Sequence, residues 1–172
     1  YIKAMFYEEV FRELNKKKVR YLVVGGGAVV LHGVVRMTAD LDLFVDFEEK
    51  NLLKFTDVLA CLGYRPKIPV QVSDFADAVK RKKWKKEKGM LVFSFYHLKR
   101  FQDHIDVFVY EPIRFKKAYK EKEIMKAGLI NIPVISIKYL KKMKEIAGRP
   151  QDLADIEALK EVEMLKEEDE KK

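Results

Sequence analysis

The order of hydrophobic and polar residues predicts helices and strands in turn at the start of the chain. Hydrophobic residues recur at every fourth position from Ile2 to Leu14, which predicts an amphipathic helix over residues 2–18. The apolar run Tyr21–Val24 stops at three glycines, as a buried strand does before a tight turn. Residues 28–33 then begin a short helix. The chain therefore opens as helix, strand and helix around a glycine turn.

The rest of the chain carries further strand and helix patterns. The predicted elements are a strand over 40–46, a helix over 48–62 ended by Gly63, neighbouring antiparallel strands over 89–98 and 104–110, and helices over 136–147 and 151–165. We therefore predict an α+β fold with a mixed, mostly antiparallel sheet of four to five strands, flanked by helices and followed by a C-terminal helical pair. Residues 1–135 would form the core, and residues 136–172 a helical extension packed on it as one compact unit.

Composition narrows the class of protein. The chain has 172 residues, the size of one domain, and contains no apolar run near the ~20 residues that a membrane span requires. Its one cysteine, Cys61, excludes an internal disulfide and is interpreted as a core residue. With no signal-peptide pattern, we expect a cytoplasmic protein. The high Lys and Glu content beside only three Asn and three Gln also suggests a thermophilic source.

Positive charge is concentrated in one segment. The net charge is +8, and residues 80–88 hold seven basic residues and one acid around Trp84. Such a surface suggests a polyanionic partner. One hypothesis is RNA contact, with lysines on phosphates and Trp84 stacked on a base. The alternative is a solvated helix end or loop.

Acidic residues on two predicted strands are the first candidate chemistry. Asp40 and Asp42 point to the same side of a strand, while the residues between and after them point into the core. Two carboxylates about 7 Å apart repel each other, and Mg²⁺ between them would remove the repulsion. The pair also fits an edge strand with two ordinary acids. If the strand of Asp106 is a neighbour, three carboxylates converge, which favours the metal.

Glycines at the end of the first strand are the second candidate. Gly25 and Gly26 stand where a strand meets a helix, and glycines there let phosphates approach the backbone. By themselves they also fit a simple tight turn. His104 shares a strand face with Asp106, so it either borders this site or is a structural histidine; His32 and His97 have no metal-ligand spacing.

These residues form a longer pattern, hydrophobic-Gly-Gly-x-Ala, His-Gly, Arg, Thr and Asp-x-Asp. It is found at Val24–Ala28, His32-Gly33, Arg36, Thr38 and Asp40-Leu41-Asp42, and a second motif, Lys-x-x-Ala-x-Arg-x-x-Asp, at Lys144, Ala147, Arg149 and Asp152. The pattern resembles the nucleotidyltransferase superfamily typified by polymerase beta. The full pattern is more similar still to that of small prokaryotic nucleotidyltransferases, including the toxin halves of abortive-infection systems.

The resemblance implies roles for the acidic residues. Asp40 and Asp42 would hold two Mg²⁺ ions, or Mn²⁺, that bridge the triphosphate of an NTP such as ATP. Asp106 would complete one metal site and help to deprotonate the attacking hydroxyl. Two metals about 4 Å apart suit such an in-line displacement.

The resemblance also implies nucleotide contacts. Gly25 and Gly26 would contact the phosphates, and Lys144, Arg149 and Arg36 would neutralise them or form structural ion pairs. Many superfamily members carry serine where this chain has Gly26, so the backbone would have to bind phosphate there.

The implied function is metal-dependent transfer of a nucleoside monophosphate from an NTP to a hydroxyl, with release of pyrophosphate. The acceptor would be RNA, such as a tRNA end reached through residues 80–88, a protein or a small molecule. An antitoxin partner is implied only by the family resemblance. The alternative is a non-catalytic nucleotide- or RNA-binding module on the same fold.

Overall fold

The structure, a computed structural model, describes residues 7–171 and contains seven α-helices and seven strands in that range. The helices are α1 (Glu8–Lys16), α2 (Gly25–Leu31), α3 (Glu49–Cys61), α4 (Ala78–Lys88), α5 (Phe115–Lys120), α6 (Ile137–Ala147) and α7 (Pro150–Glu170). The strands are β1 (Tyr21–Val24), β2 (Leu41–Val45), β3 (Tyr64–Pro66), β4 (Val92–His97), β5 (His104–Phe108), β6 (Glu123–Ala127) and β7 (Ile130–Val134), and a short 3-10 helix spans Val72–Ala76. Residues 2–6 of the predicted first helix lie outside the described range.

All seven strands form one sheet in the order β3-β4-β5-β2-β1-β7-β6. Four pairings are antiparallel, and two, β1 with β7 and β2 with β5, are parallel. The predicted mixed, mostly antiparallel sheet is confirmed, but the expected number of four to five strands was wrong. The missed strands are short or interrupted: β3 has three residues, β6 is a charged edge strand, and β7 contains Pro133.

Aromatic side chains pack on one face of the sheet around β4. Phe93 and Phe95 of β4 contact Phe75 of the 3-10 helix, and Trp84 of α4 packs on Phe93 with ring centroids 4.8 Å apart. Trp84 is only 6% exposed. The hypothesis that Trp84 stacks on a base was therefore wrong, because its ring is part of the core. The lysines of α4 are exposed, whereas Arg81 is buried.

Cys61 also differs from its interpretation as a core residue. It is the last residue of α3 and is exposed. Leu59, two positions earlier, is fully buried. Because two residues of a helix are separated by about 200° around its axis, Cys61 points to the opposite side of α3 from Leu59.

The C-terminal helices form the predicted pair. Gly148 has a left-handed φ of +63° and ends α6, and Pro150 opens α7. The sharp turn folds α7 back beside α6. The division of the chain at residue 135 stays a prediction. Within residues 7–171, no helix is long and apolar enough to cross a membrane.

Candidate active site

A cavity of about 410 Å³ opens on the polar face of the sheet, between the strand ends and the start of α7. Asp42 of β2 lies opposite Asp106 of β5 in the parallel register, and Asp40 immediately precedes β2. All three line the cavity. The structure thus makes β2 and β5 neighbours, which is the arrangement that brings the three carboxylates together.

The electrostatics of Asp42 reflect this crowding. Its half-buried carboxyl has a pKa raised to about 7, first by burial and then by the negative charges of Asp106 and Asp40. A hydrogen bond from the Gly26 N–H and the positive charge of Lys144 lower the pKa only in part. A cation bound near Asp42 would relieve the repulsion.

The other two carboxylates each have a polar neighbour. The Ser94 hydroxyl of β4 donates a hydrogen bond of 2.5 Å to Asp106 Oδ1. His104 Nδ1 lies 3.4 Å from Asp40 Oδ1, so His104 borders the site. Ser94 and Asp106 are paired across the antiparallel strands, which orients the Asp106 carboxylate. The sequence signal for Ser94 was its place on the polar side of the predicted strand next to that of Asp106.

Position 25 requires glycine because the Asp42 carboxylate lies close to the backbone there. Its φ of +60° is left-handed, and a Cβ at this position would lie 2.2 Å from Asp42 Oδ2. Any side chain would therefore collide with the carboxylate that faces it. At Gly26, a Cβ would lie 2.7 Å from Thr38 Oγ1 and 3.3 Å from Arg36 Nη2. The glycine pair thus keeps the chain close to both the acidic residues and the loop before β2.

Cations at the cavity are held by two aspartates of α7. The buried Lys144 Nζ donates hydrogen bonds to Asp152 Oδ1 at 3.0 Å and Asp155 Oδ2 at 2.6 Å. Arg149 Nε donates to Asp152 Oδ2 at 2.7 Å, and Arg36 pairs with Asp155. The ion pairs that were left open as the alternative role of these cations are present, and all three cations also line the cavity.

The network has a clear effect on Asp152. Burial alone would raise its pKa, but hydrogen bonds from Arg149 and Lys144 outweigh burial and lower the pKa to about 2. Hydrogen bonding by Lys144 and Gln151 likewise outweighs burial at Asp155, whose pKa is lowered. Both aspartates are therefore ionised at neutral pH, and they fix the cations that face the cavity.

All eight residues predicted from the sequence line this single cavity: Gly25, Gly26, Arg36, Asp40, Asp42, Asp106, Lys144 and Arg149. The residues to which sequence analysis gave no role there include Thr38, Gln151, Val92 and Phe108. Thr38 belonged to the quoted motif. Phe108 follows Asp106 by two positions on the same strand face, a signal that could have found it.

The remaining two histidines, His32 and His97, lie outside the cavity lining and make hydrogen bonds to the backbone. The buried His32 ring nitrogen Nε2 is 2.7 Å from the Ile135 carbonyl oxygen. His97 Nδ1 accepts hydrogen bonds from the N–H groups of Lys99 and Arg100.

The three carboxylates have the right chemistry for Mg²⁺, which prefers oxygen ligands. Across residues 7–171, however, no three acidic, histidine or cysteine side chains are close enough to enclose an ion without further ligands. Mg²⁺ commonly takes one or two carboxylates and completes its shell with water and substrate phosphates. In a site of that type, Asp40, Asp42 and Asp106 would supply carboxylate oxygens, and water or phosphate oxygens would complete the shell.

Comparison with known proteins places the fold. No family model and no curated protein sequence matches the chain. Among solved structures, the chain is similar to the lincosamide antibiotic adenylyltransferase LnuA, crystallised with lincomycin bound. The TM-score is 0.57 at 18% identity, and the match covers 93% of this chain and 96% of that chain. Together with the seven-stranded mixed sheet, this likeness confirms that the chain has a nucleotidyltransferase fold.

Proposed function

We propose that the protein is a metal-dependent nucleotidyltransferase, which moves a nucleoside monophosphate from an NTP to a hydroxyl group and releases pyrophosphate. The observation that carries the proposal is the convergence of Asp40, Asp42 and Asp106 in one cavity with the Gly25-Gly26 turn. Such a transfer depends on positioning and charge neutralisation. It therefore needs carboxylates to bind metal ions, backbone that the phosphates can approach closely, and cations held in fixed positions.

In this proposal, Asp106 receives the proton of the attacking hydroxyl. As that hydroxyl oxygen forms its bond to the α-phosphorus, the bond from the α-phosphorus to the bridging oxygen of pyrophosphate breaks, and the proton passes to a carboxylate oxygen of Asp106. The Ser94 hydroxyl occupies Oδ1 of Asp106 and leaves Oδ2 for this role. Bound Mg²⁺, held by Asp40, Asp42 and Asp106, would supply charge neutralisation for the entering and leaving oxygens.

The cations would act on the triphosphate. Arg149 is largely exposed, at 74% of its side chain, and its guanidinium is tied to Asp152 on one side only, so it is free to meet an anion from the solvent. Lys144 is buried under the cavity and would act by its charge. In this proposal Asp152 and Asp155 hold the cations in place rather than contacting the substrate.

For the acceptor, we propose an RNA end as the first class to test, with protein hydroxyls and small molecules as alternatives. The exposed lysines of α4 supply the support, and Lys85 Nζ lies 4.9 Å above the ring of Tyr110, two residues beyond Phe108 in the cavity wall. Lys85 thus lies close to the chain just beyond the end of β5, although α4 itself packs on the aromatic face of the sheet. A toxin role with an antitoxin partner stays a prediction from family resemblance.

The test is transfer of label from each α-phosphate-labelled NTP, with Mg²⁺, to total RNA, to a protein mixture and to small hydroxyl compounds. Wild-type protein should label one acceptor class and release pyrophosphate, and Asp42→Asn should do neither. NTP binding without transfer to any acceptor would favour the non-catalytic module. For the RNA arm, alanine at Lys82, Lys83, Lys85 and Lys86 should weaken binding and flatten its salt dependence; an unchanged salt slope would exclude α4 as the RNA surface.

A further inference from the structure

The segment before β2 turns alternate side chains toward the cavity. Val35 and Met37 are almost fully exposed, at 101% and 95%, whereas Arg36 and Thr38 are half-buried and line the cavity. This alternation is that of an extended chain. It places the Thr38 hydroxyl on the same side as Asp40, above the glycine turn.

Thr38 and any side chain at position 26 compete for the same space. A Cβ built on Gly26 would lie 2.7 Å from Thr38 Oγ1, which is closer than real Cβ atoms come to other atoms, and 3.1 Å from Thr38 Cβ, which is tighter than most Cβ contacts. The threonine hydroxyl therefore occupies the region where a serine at position 26 would project. Within residues 7–171, Thr38 Oγ1 has no hydrogen-bond partner, so its proton is available to a ligand.

A second donor faces the same point. Arg36 Nη2 lies 3.3 Å from the Cβ position of Gly26, while Nη1 is tied to Asp155 and Nε donates to the Met37 carbonyl oxygen. The Arg36 guanidinium is thus held through Nη1 and Nε, and its Nη2 faces Gly26. A neutral hydroxyl and a cationic N–H directed at one location match the oxygens of a phosphate.

We propose that the Thr38 hydroxyl donates a hydrogen bond to the triphosphate of the bound NTP, together with Arg36 Nη2. Thr38 thereby supplies from the loop before β2 the hydroxyl that Gly26 cannot supply from the glycine turn. The proposal rests on the proposed function, since it assigns a further substrate contact in the same cavity.

The experiment is calorimetric titration with each of the four NTPs and with inorganic tripolyphosphate, in the presence of Mg²⁺. Thr38→Val keeps the shape of the side chain and removes the hydroxyl. It should weaken NTP and tripolyphosphate binding at least about tenfold, because it loses a hydrogen bond to a charged group. Thr38→Ser, which keeps the hydroxyl, should bind within about threefold of wild type. Thermal melting checks that the variants fold, and Mn²⁺ affinity without nucleotide should be unchanged in Thr38→Val because the acidic residues are intact.

A paired exchange makes the test sharper. Gly26→Ser alone should bind NTP weakly, because the new Cβ collides with Thr38. Gly26→Ser combined with Thr38→Ala removes the collision and moves the hydroxyl to the glycine turn, so it should bind more tightly than either single variant. Wild-type affinity in Thr38→Val, or no recovery in the folded double variant, would overturn the role of Thr38 while leaving the proposed function intact. Absence of NTP binding by wild type would overturn both.

Discussion

Replacing Asp42 by Asn should change how the stability of the metal-free protein depends on pH. The pKa of Asp42 rises from its ordinary 3.8 to about 7 in the folded protein, through burial and the charges of Asp106 and Asp40. The folded state therefore holds a proton that the unfolded chain has released. Its contribution to stability is fully present below about pH 4 and is lost as the pH rises through about 7.

The size of this effect follows from the shift. Each pKa unit corresponds to about 1.4 kcal/mol, so about three units set an upper limit of about 4 kcal/mol. Asp42 is half-buried, and water screens part of the repulsion, so we expect about 1–3 kcal/mol. Asp42→Asn should remove this loss, since the amide oxygen can still accept the Gly26 N–H and carries no charge.

The assay is urea unfolding with a chelator present, from about pH 5 to about pH 8. Wild type should lose stability relative to Asp42→Asn as the pH rises, and millimolar Mg²⁺ should restore part of it to wild type alone. Asp57→Asn, at an exposed position of α3, is the matched control and should follow wild type. Parallel pH profiles for wild type and Asp42→Asn would refute the reasoning that burial and the neighbouring carboxylates raise the pKa of Asp42.

Two further substitutions test the parts around the carboxylates. Gly25→Ala should lose NTP binding and about 1–3 kcal/mol of stability, because its Cβ would lie 2.2 Å from Asp42 Oδ2. The control is Gly89→Ala, since Gly89 has the same φ of +60° with open space around it and should lose only the stability that comes from backbone strain. Equal losses of stability in the two variants would contradict the collision with Asp42. Lys144→Met should cost about 3–5 kcal/mol in urea unfolding, since two buried carboxylates lose their ammonium partner. The exposed ion pair of Lys138 gives the control: Lys138→Met should leave the stability nearly unchanged, and an equally small effect of Lys144→Met would show that the buried network does not stabilise the fold.

The acidic part of the site could be predicted because strand alternation fixes which side chains share a face. Asp40 and Asp42 follow that rule, and Asp106 lies on the polar face of its own strand. The alternation does not predict which strands are neighbours in the sheet, and β2 and β5 are separated along the chain by α3, β3, α4 and β4. Their pairing depends on the whole sheet. From the sequence, the convergence of the three carboxylates could therefore be predicted only on the assumption that the two strands are neighbours.

Other features depend on contacts between distant segments. A lysine such as Lys144 is ordinarily exposed, and its burial follows from Asp152 and Asp155 on the next helix. Trp84 stands among lysines in the sequence, yet its neighbour in space is Phe93 of the core. Local composition therefore predicted the charge of α4 correctly and the role of its tryptophan wrongly.

The most direct test of the central claim is calorimetric titration of wild type and Asp42→Asn with each NTP, in the presence and absence of Mg²⁺. We predict micromolar binding of at least one NTP that requires both the metal and Asp42. Binding of no NTP by the folded wild-type protein, or equal binding by Asp42→Asn, would contradict the assignment of this cavity as a metal-dependent nucleotide site.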